Sequence, residues 1–368
     1  MTVLISALAF LLLLSFLVLI HECGHFFAAR WAGVVVEEFG FGLPPRAKTL
    51  FRRGGTRFSL NWIPFGGFVR LQGENAASER ERRTTGSFAH ASIPARVVIL
   101  VAGVFMNLLF ALVVFTVGFS VWQWVPTYLS LEEMKSASMS GEITLSPGVR
   151  VGSVQAGGTA AGAKVPSPST LLKVDDIPVY VPADVVEAQK GKQFVKYTLI
   201  KEGAEKESIY TVPVRDGKTG IEISFSPHVY SPPRSVPAGF VLSLREVKVT
   251  TVQTIIGISH LVRSLAWHGS VPEGITGIVG IAQLTHNSVQ EGWGAYIRLM
   301  AVLSLSLAIL NILPFPSLDG GRLIFVLVEG IAQRPAPRRF ELITNTVGFL
   351  ILILLIVLVT FNDIWKLF

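Results

Sequence analysis

The sequence predicts a polytopic α-helical membrane protein with about four transmembrane helices. It adds a membrane-associated β-hairpin after the first helix and an inserted extracytoplasmic α+β domain before the third. Three observations carry that expectation. Of the 368 residues, 50% are hydrophobic and 15% charged, where soluble domains carry roughly a quarter charged residues. Four apolar stretches, residues 3–26, 97–122, 299–316 and 342–361, are long enough to cross a bilayer. Between the second and third, the pattern turns to short β-like runs separated by Gly, Pro, Asp and Lys, as in a small water-facing domain.

The first segment, residues 1–27, opens on an uncharged apolar run from Val3 to Ile20 and ends in His21-Glu22-Cys23-Gly24-His25. A cleavable signal peptide would show a positive n-region and a shorter apolar run of about 7–15 residues. Histidines at i and i+4 share one helix face. With a glutamate after the first, they form the H-E-x-x-H pattern: two imidazoles to bind zinc and a carboxylate to serve as general base. Ionisable residues inside a membrane segment are costly and mark functional sites. Cys23, the single cysteine, lies roughly 200° around the helix from either histidine and suits packing better than ligation; one cysteine also excludes an intrachain disulfide.

Charge placement orients the chain. Residues 28–96 hold eleven Lys/Arg against five Asp/Glu, and residues 125–296 hold fifteen of each. The positive-inside rule puts the first loop in the cytoplasm, with Arg322, Arg334, Arg338 and Arg339 after the third span in agreement. Both termini and the central domain then fall outside the cytoplasm, and the basic balance calls for no nucleic acid. Within loop 28–96, aromatic and aliphatic residues flank Pro64-Phe65-Gly66-Gly67-Phe68-Val69, which reads as a β-hairpin. Such a hairpin either packs its own aromatics or offers an edge to an extended peptide. The run Glu79 to Arg83 reads as a solvated loop. In the second span, 97–124, Gly103 and Asn107 share a face; Asn107 either packs against a neighbouring helix or faces the site.

The inserted domain covers residues 142–228. Beyond a Pro232–Pro237 linker, residues 238–296 form an amphipathic region that suits either the membrane surface or packing against the soluble domain. His260, His268 and His286 lack ligand spacing and read as surface histidines. The third span, 297–321, is broken by Pro314 and Pro316, which is tolerated where backbone lines a cavity. A catalytic zinc normally takes three protein ligands. Asp319, at the same cytoplasmic depth as His21 and His25, is the candidate; Asp before Gly also suits helix capping. The fourth span is 342–364.

On these motifs the chain resembles the site-2 protease family of intramembrane zinc metalloproteases, in particular the regulator-of-sigma-E-protease branch. His21-Glu22-Cys23-Gly24-His25 is similar to its zinc motif, and Asn311-Ile312-Leu313-Pro314 through Leu318-Asp319-Gly320 to its N-x-x-P…L-D-G motif. Residues 64–69 resemble its membrane-reentrant hairpin. Residues 274–281 resemble its Gly-Pro-x-Gly-Ile segment, with Ile278 where proline is frequent. Residues 171–179 resemble a PDZ-domain strand and turn, with Asp176 in place of glycine. The resemblance implies one PDZ domain and Zn2+ held by His21, His25 and Asp319, with Glu22 catalytic. Asn311, Pro314, Gly66, Gly67 and Phe68 would contact substrate. Implied partners are the lipid bilayer and single-span membrane proteins already shortened by another protease, such as an anti-sigma factor or a signal-peptide remnant. The implied location is the bacterial plasma membrane. Rival readings are a metal-ion transporter, since the same side chains line ion paths, and a proteolytically silent PDZ scaffold.

Overall fold

The computed structural model describes residues 2–74, 84–204, 206–226, 228–334 and 337–366. The charge run from Glu79 to Arg83 lies outside the described residues. Contacts divide the chain into two compact units, Met1–Trp122 with Ser235–Phe368, and Gln123–Arg234.

The first unit begins with helix α1, Thr2–Trp31, thirty residues free of proline and with no glycine before Gly24. Two long strands follow, β1 (Val36–Arg53) and β2 (Thr56–Leu71). Their register is unusual: Phe39 lies opposite both Val69 and Phe58, and Gly40 opposite both Phe68 and Ser59. The start of β1 is therefore flanked by the two ends of β2, and the stretch 67–71 is left at a sheet edge. Helix α2, Ile93–Val121, starts where Ser92 Oγ accepts the Ala95 N–H at 3.4 Å, with Pro94 in the first turn.

The second unit carries α3 (Leu131–Met139), β3 (Thr144–Ser146), β4 (Val149–Val154), the single turn α4 (Thr159–Gly162), β5 (Ser169–Val174), β6 (Ile177–Pro178) and α5 (Pro182–Gln189). After these come β7 (Phe194–Lys201), β8 (Glu207–Pro213), β9 (Ile221–Phe225) and β10 (His228–Tyr230). The main sheet runs β8-β7-β5-β4-β9 with β6 beside β5, while β3 and β10 form a separate pair. Alternation directs Val149, Val151, Tyr197 and Leu199 into one apolar core, joined by Leu171 and, past an irregularity in β5, Val174. Residue Val181 precedes α5 without a side-chain oxygen; instead Asp184 reaches back and accepts from the N–H groups of Tyr180 (2.8 Å) and Val181 (3.1 Å).

The chain then returns to the first unit through α6 (Val236–His268), α7 (Ile278–Glu291), α8 (Trp293–Ile312), α9 (Asp319–Ala332) and α10 (Arg338–Trp365). The first half of α6 packs on α2, with Gly239 against Thr116 and Ser120 and with Thr116 Oγ1 donating to Ser243 Oγ at 3.0 Å. This half of the segment is a bundle element, with Ser243 and Glu246 buried. His286 corrects the surface reading: it is half-buried, and its Nδ1 meets Ser6 Oγ of α1 at 2.8 Å. Helix α10 is tied at both ends, where Asp363 accepts from the N–H groups of Gly277 and Gly280 (both 2.8 Å) and Asn345 accepts from Ser317 N–H (3.2 Å). Among the described residues, four helices are long and apolar enough to cross a membrane: Val3–Trp31, Ile93–Val121, Trp293–Ile312 and Arg339–Trp365.

Candidate metal centre

His21 and His25 stand one turn apart on α1, both buried, with their Nε2 atoms 3.1 Å from each other. Asp319 Oδ2 lies 2.9 Å from His21 Nε2 and 3.3 Å from His25 Nε2. No helix carries all three groups. Helix α8 ends at Ile312, and the short loop 313–318 turns through Ser317, whose φ is 69°, before Asp319 opens α9. The turn needs both glycines after Asp319. A Cβ on Gly320 would strike the carbonyls of Ile312 and Leu313, and one on Gly321 that of Phe315. Asp319 sits one residue past the capping position held by Leu318, and its carboxylate turns to the histidines.

The histidines are fixed from behind. His25 Nδ1 donates to the Ile99 carbonyl of α2 at 2.8 Å, which leaves the Nε2 lone pair facing Asp319 and His21. The side-chain amide nitrogen of Asn107 on α2 stands 3.5 Å from His21 Nδ1, and the Asn107 backbone carbonyl accepts from Ser304 Oγ of α8 at 3.0 Å. Such an approach of α1 to α2 requires two glycines. A Cβ on Gly24 would strike the Ala102 carbonyl, and one on Gly103 would strike His25 Nε2. Gly103, expected to serve helix packing, is thus also what makes room for the imidazoles.

Glu22 points from the same turn toward the hairpin, where its Oε2 accepts the Val69 N–H at 2.9 Å. A cavity of about 140 Å³ is lined by His21, Glu22, His25 and Asp319 with Phe68 and Val69. Arg322 and Glu74 form an ion pair in its wall. Of the other expected site residues, Asn311 Nδ2 is 3.5 Å from His21 Nε2. Gly66 and Gly67 lie along α1 against Val18 and Leu19, outside the cavity lining, as does the exposed Pro314. Sequence reasoning missed Val69 as a partner of Glu22, Ile99 behind His25, and Arg322. Only the last left a signal: three residues beyond Asp319, it lies on the same face of a helix.

The donor set fits zinc. The ligand atoms of His21, His25 and Asp319 all lie within 4.8 Å of one another. A tetrahedral ion bound at ~2.0–2.1 Å sets its ligand atoms roughly 3.3 Å apart. Two imidazole nitrogens and a carboxylate oxygen converge at 2.9–3.3 Å, the spacing of ligands around one shared cation. Two histidines one turn apart and a carboxylate from a distant helix as ligands, with a glutamate beside the first histidine as base, are the arrangement of a metallopeptidase.

The comparisons agree. The profile of peptidase family M50 matches residues 9–355, and the chain belongs to that family. Over 358 residues it is 29% identical to a predicted zinc metalloprotease of Clostridium perfringens, covering 96% of this chain and 97% of the relative. A counterpart of the same description in Agrobacterium fabrum is 28% identical over 370 residues, covering 96% and 94%. Another in Synechocystis is 30% identical over 372 residues, covering 98% and 94%. The protein is a zinc metalloprotease, and four of its described helices are fit to cross a membrane.

Proposed function

We propose that this protein cleaves single-span membrane proteins already shortened by another protease, hydrolysing a peptide bond within or next to the substrate's transmembrane segment. The observation that carries the reading is the convergence of His21, His25 and Asp319 beside Glu22 on a helix fit to span the bilayer. His21, His25 and Asp319 hold the metal. Zinc, when bound, supplies Lewis acidity and lowers the pKa of water. Glu22 takes a proton from the attacking water and returns it to the leaving amine, with the Val69 N–H holding its carboxylate in place. Asn311, at the rim of the cluster, is positioned to donate to the carbonyl oxygen of the scissile bond.

A scissile bond in a helix has its carbonyl hydrogen-bonded internally, so the substrate unwinds before it is cut. The edge stretch 67–71, containing Gly67 and Phe68, offers backbone groups to an extended segment. Gly66 shapes the approach to that edge, and Pro314 the loop that carries Asp319.

The middle unit is read as a PDZ domain that admits shortened substrates. Supporting this, β9 ends the sheet order, and a cavity of about 430 Å³ lies beside it, lined by Val186 and Gln189 of α5 and Ile221 and Ile223 of β9, with Arg215 and Lys218 at one side. An open strand edge with nearby cations suits a peptide ending in a carboxylate. The excess of Lys/Arg in residues 28–96 supports a cytoplasmic hairpin in a bacterial plasma membrane, with the PDZ domain and both termini on the other side.

The test is cleavage of a shortened single-span substrate by purified wild type and Glu22→Gln, with bound zinc quantified in both. We expect the variant to keep its zinc and lose about 10²–10⁴-fold in rate, the range for a general base. Equal rates in the two proteins would sink the assignment of Glu22.

A further inference from the structure

The hairpin descends α1 as a ladder of contacts. Ser15 Oγ donates to the Pro64 carbonyl at 3.1 Å, Gly66 and Gly67 rest on Val18 and Leu19, and Val69 N–H reaches Glu22. Below these, the Phe39 ring meets Phe26 with centroids 5.5 Å apart, and Arg30 donates to the Gly54 carbonyl at 2.9 Å. From Ser15 to Arg30 the ladder covers roughly 22 Å of helix. Its two ends differ in character. Near the top, Leu43, Leu60, Trp62, Ile63 and Phe65 are exposed apolar side chains.

At the lower end, next to Phe39, the buried Glu38 draws three arginines onto one oxygen. Arg46, Arg57 and Arg70 stand 2.7, 3.8 and 3.7 Å from Glu38 Oε2. Arg46 also donates through Nε to Oε1 at 2.9 Å. Burial pushes the Glu38 carboxyl up, but Arg46 and Arg70 outweigh it and hold it below the usual carboxylate range, so the centre of the cluster stays an anion. One carboxylate under three guanidiniums leaves two positive charges in excess. Arg57 Nε is buried with no acceptor among the described residues, while all three guanidinium side chains keep exposed surface.

Depth along α1 identifies what this charge meets, given the reading of α1 as a span. From Val3, about twenty residues cross a ~30 Å hydrocarbon core, which brings the helix to Glu22. The arginines lie opposite the next turn and a half, in the headgroup layer, with Trp31 exposed at the helix end. An apolar tip in the acyl region above convergent guanidiniums is the arrangement that takes a lipid phosphate.

We propose that Arg46, Arg57 and Arg70, gathered on Glu38, form a binding site for the phosphodiester headgroup of an anionic phospholipid, seated against the hairpin. The test uses the full-length protein in neutral micelles, titrated with phosphatidylglycerol or phosphatidylcholine and followed by native mass spectrometry. Wild type should retain phosphatidylglycerol saturably and in preference to phosphatidylcholine. In R57Q/R70Q, which keeps the Arg46–Glu38 pair, retention should weaken about tenfold to thirtyfold, the scale for two interfacial cations. R57K/R70K should recover part of it. Inorganic phosphate should not displace the lipid, because it lacks chains to lie on the apolar tip. No phosphatidylglycerol preference in wild type, or unchanged retention in R57Q/R70Q, would overturn the proposal. Displacement by phosphate at equal concentration would reassign the cluster to a free phosphate ion. Should R57Q/R70Q fail to fold, the wild-type preference and the single variant R70Q decide between the same outcomes.

Discussion

In the unit Gln123–Arg234 the interior is side chain on side chain: Val149, Val151, Leu171, Val174, Tyr197 and Leu199 fill one core. In the unit that holds the metal cluster, the decisive contacts bring backbones and polar groups together. Gly24 meets Ala102, Gly103 meets the imidazoles, Gly239 meets Thr116, and Ser304 donates to the Asn107 carbonyl. The exterior of the same helices is apolar, with Leu12, Phe105 and Val113 exposed. The physical reason is the solvent. In water, removing apolar surface drives packing; lipid tails are as apolar as leucine, so helices associate through close approach and interhelical hydrogen bonds. Small residues therefore mark where helices close on the site in one unit, beside buried Phe115 and Phe119, while larger side chains fill the core of the other.

The sharpest way to break this contrast is a single methyl group. Gly103→Ala puts a Cβ against His25 Nε2 and should cost at least tenfold in zinc affinity, the lower bound for disturbing a ligand's support. Cleavage should fall with the zinc. Zinc content by elemental analysis at fixed free metal checks it, and full occupancy would show that the imidazoles tolerate the crowding. Next in size, prolines at Phe68 and Val69 remove backbone donors from the edge strand, including the one that holds Glu22. Cleavage should fall about tenfold or more, the order of one charge-assisted hydrogen bond, while zinc stays bound; unchanged turnover would remove the hairpin edge from the mechanism. Smallest in its effect on catalysis is Leu171→Ala in the apolar core. It should destabilise that unit by about 2–5 kcal/mol, seen as faster amide exchange in β4, β5 and β7. Zinc content and exchange in α1 should not move, and a loss of zinc there would make the two units one cooperative structure.

Much of the site was legible because it is local. The i, i+4 spacing of His21 and His25 puts them on one face of any helix, and an apolar run of that length has few other folds open to it. His286 misled for the complementary reason: nothing in its neighbourhood along the chain indicates Ser6, 280 residues away. The doubled register of the hairpin was equally hidden, since alternation predicts strands but not which of two neighbours a strand takes.

Apolar spans, a strand-rich middle unit and a histidine pair with an adjacent glutamate are all legible along the chain, because periodicity and length act over a few residues. Motif and depth nominate Asp319; what only the tertiary structure decided is its contact with both imidazoles, Ile99 behind one and Asn107 beside the other, and Val69 on Glu22. Those contacts join residues 47 to 298 positions apart, and no local rule specifies them. They follow from which helices can approach closely enough, and at Gly24 and Gly103 that approach depends on the missing side chain.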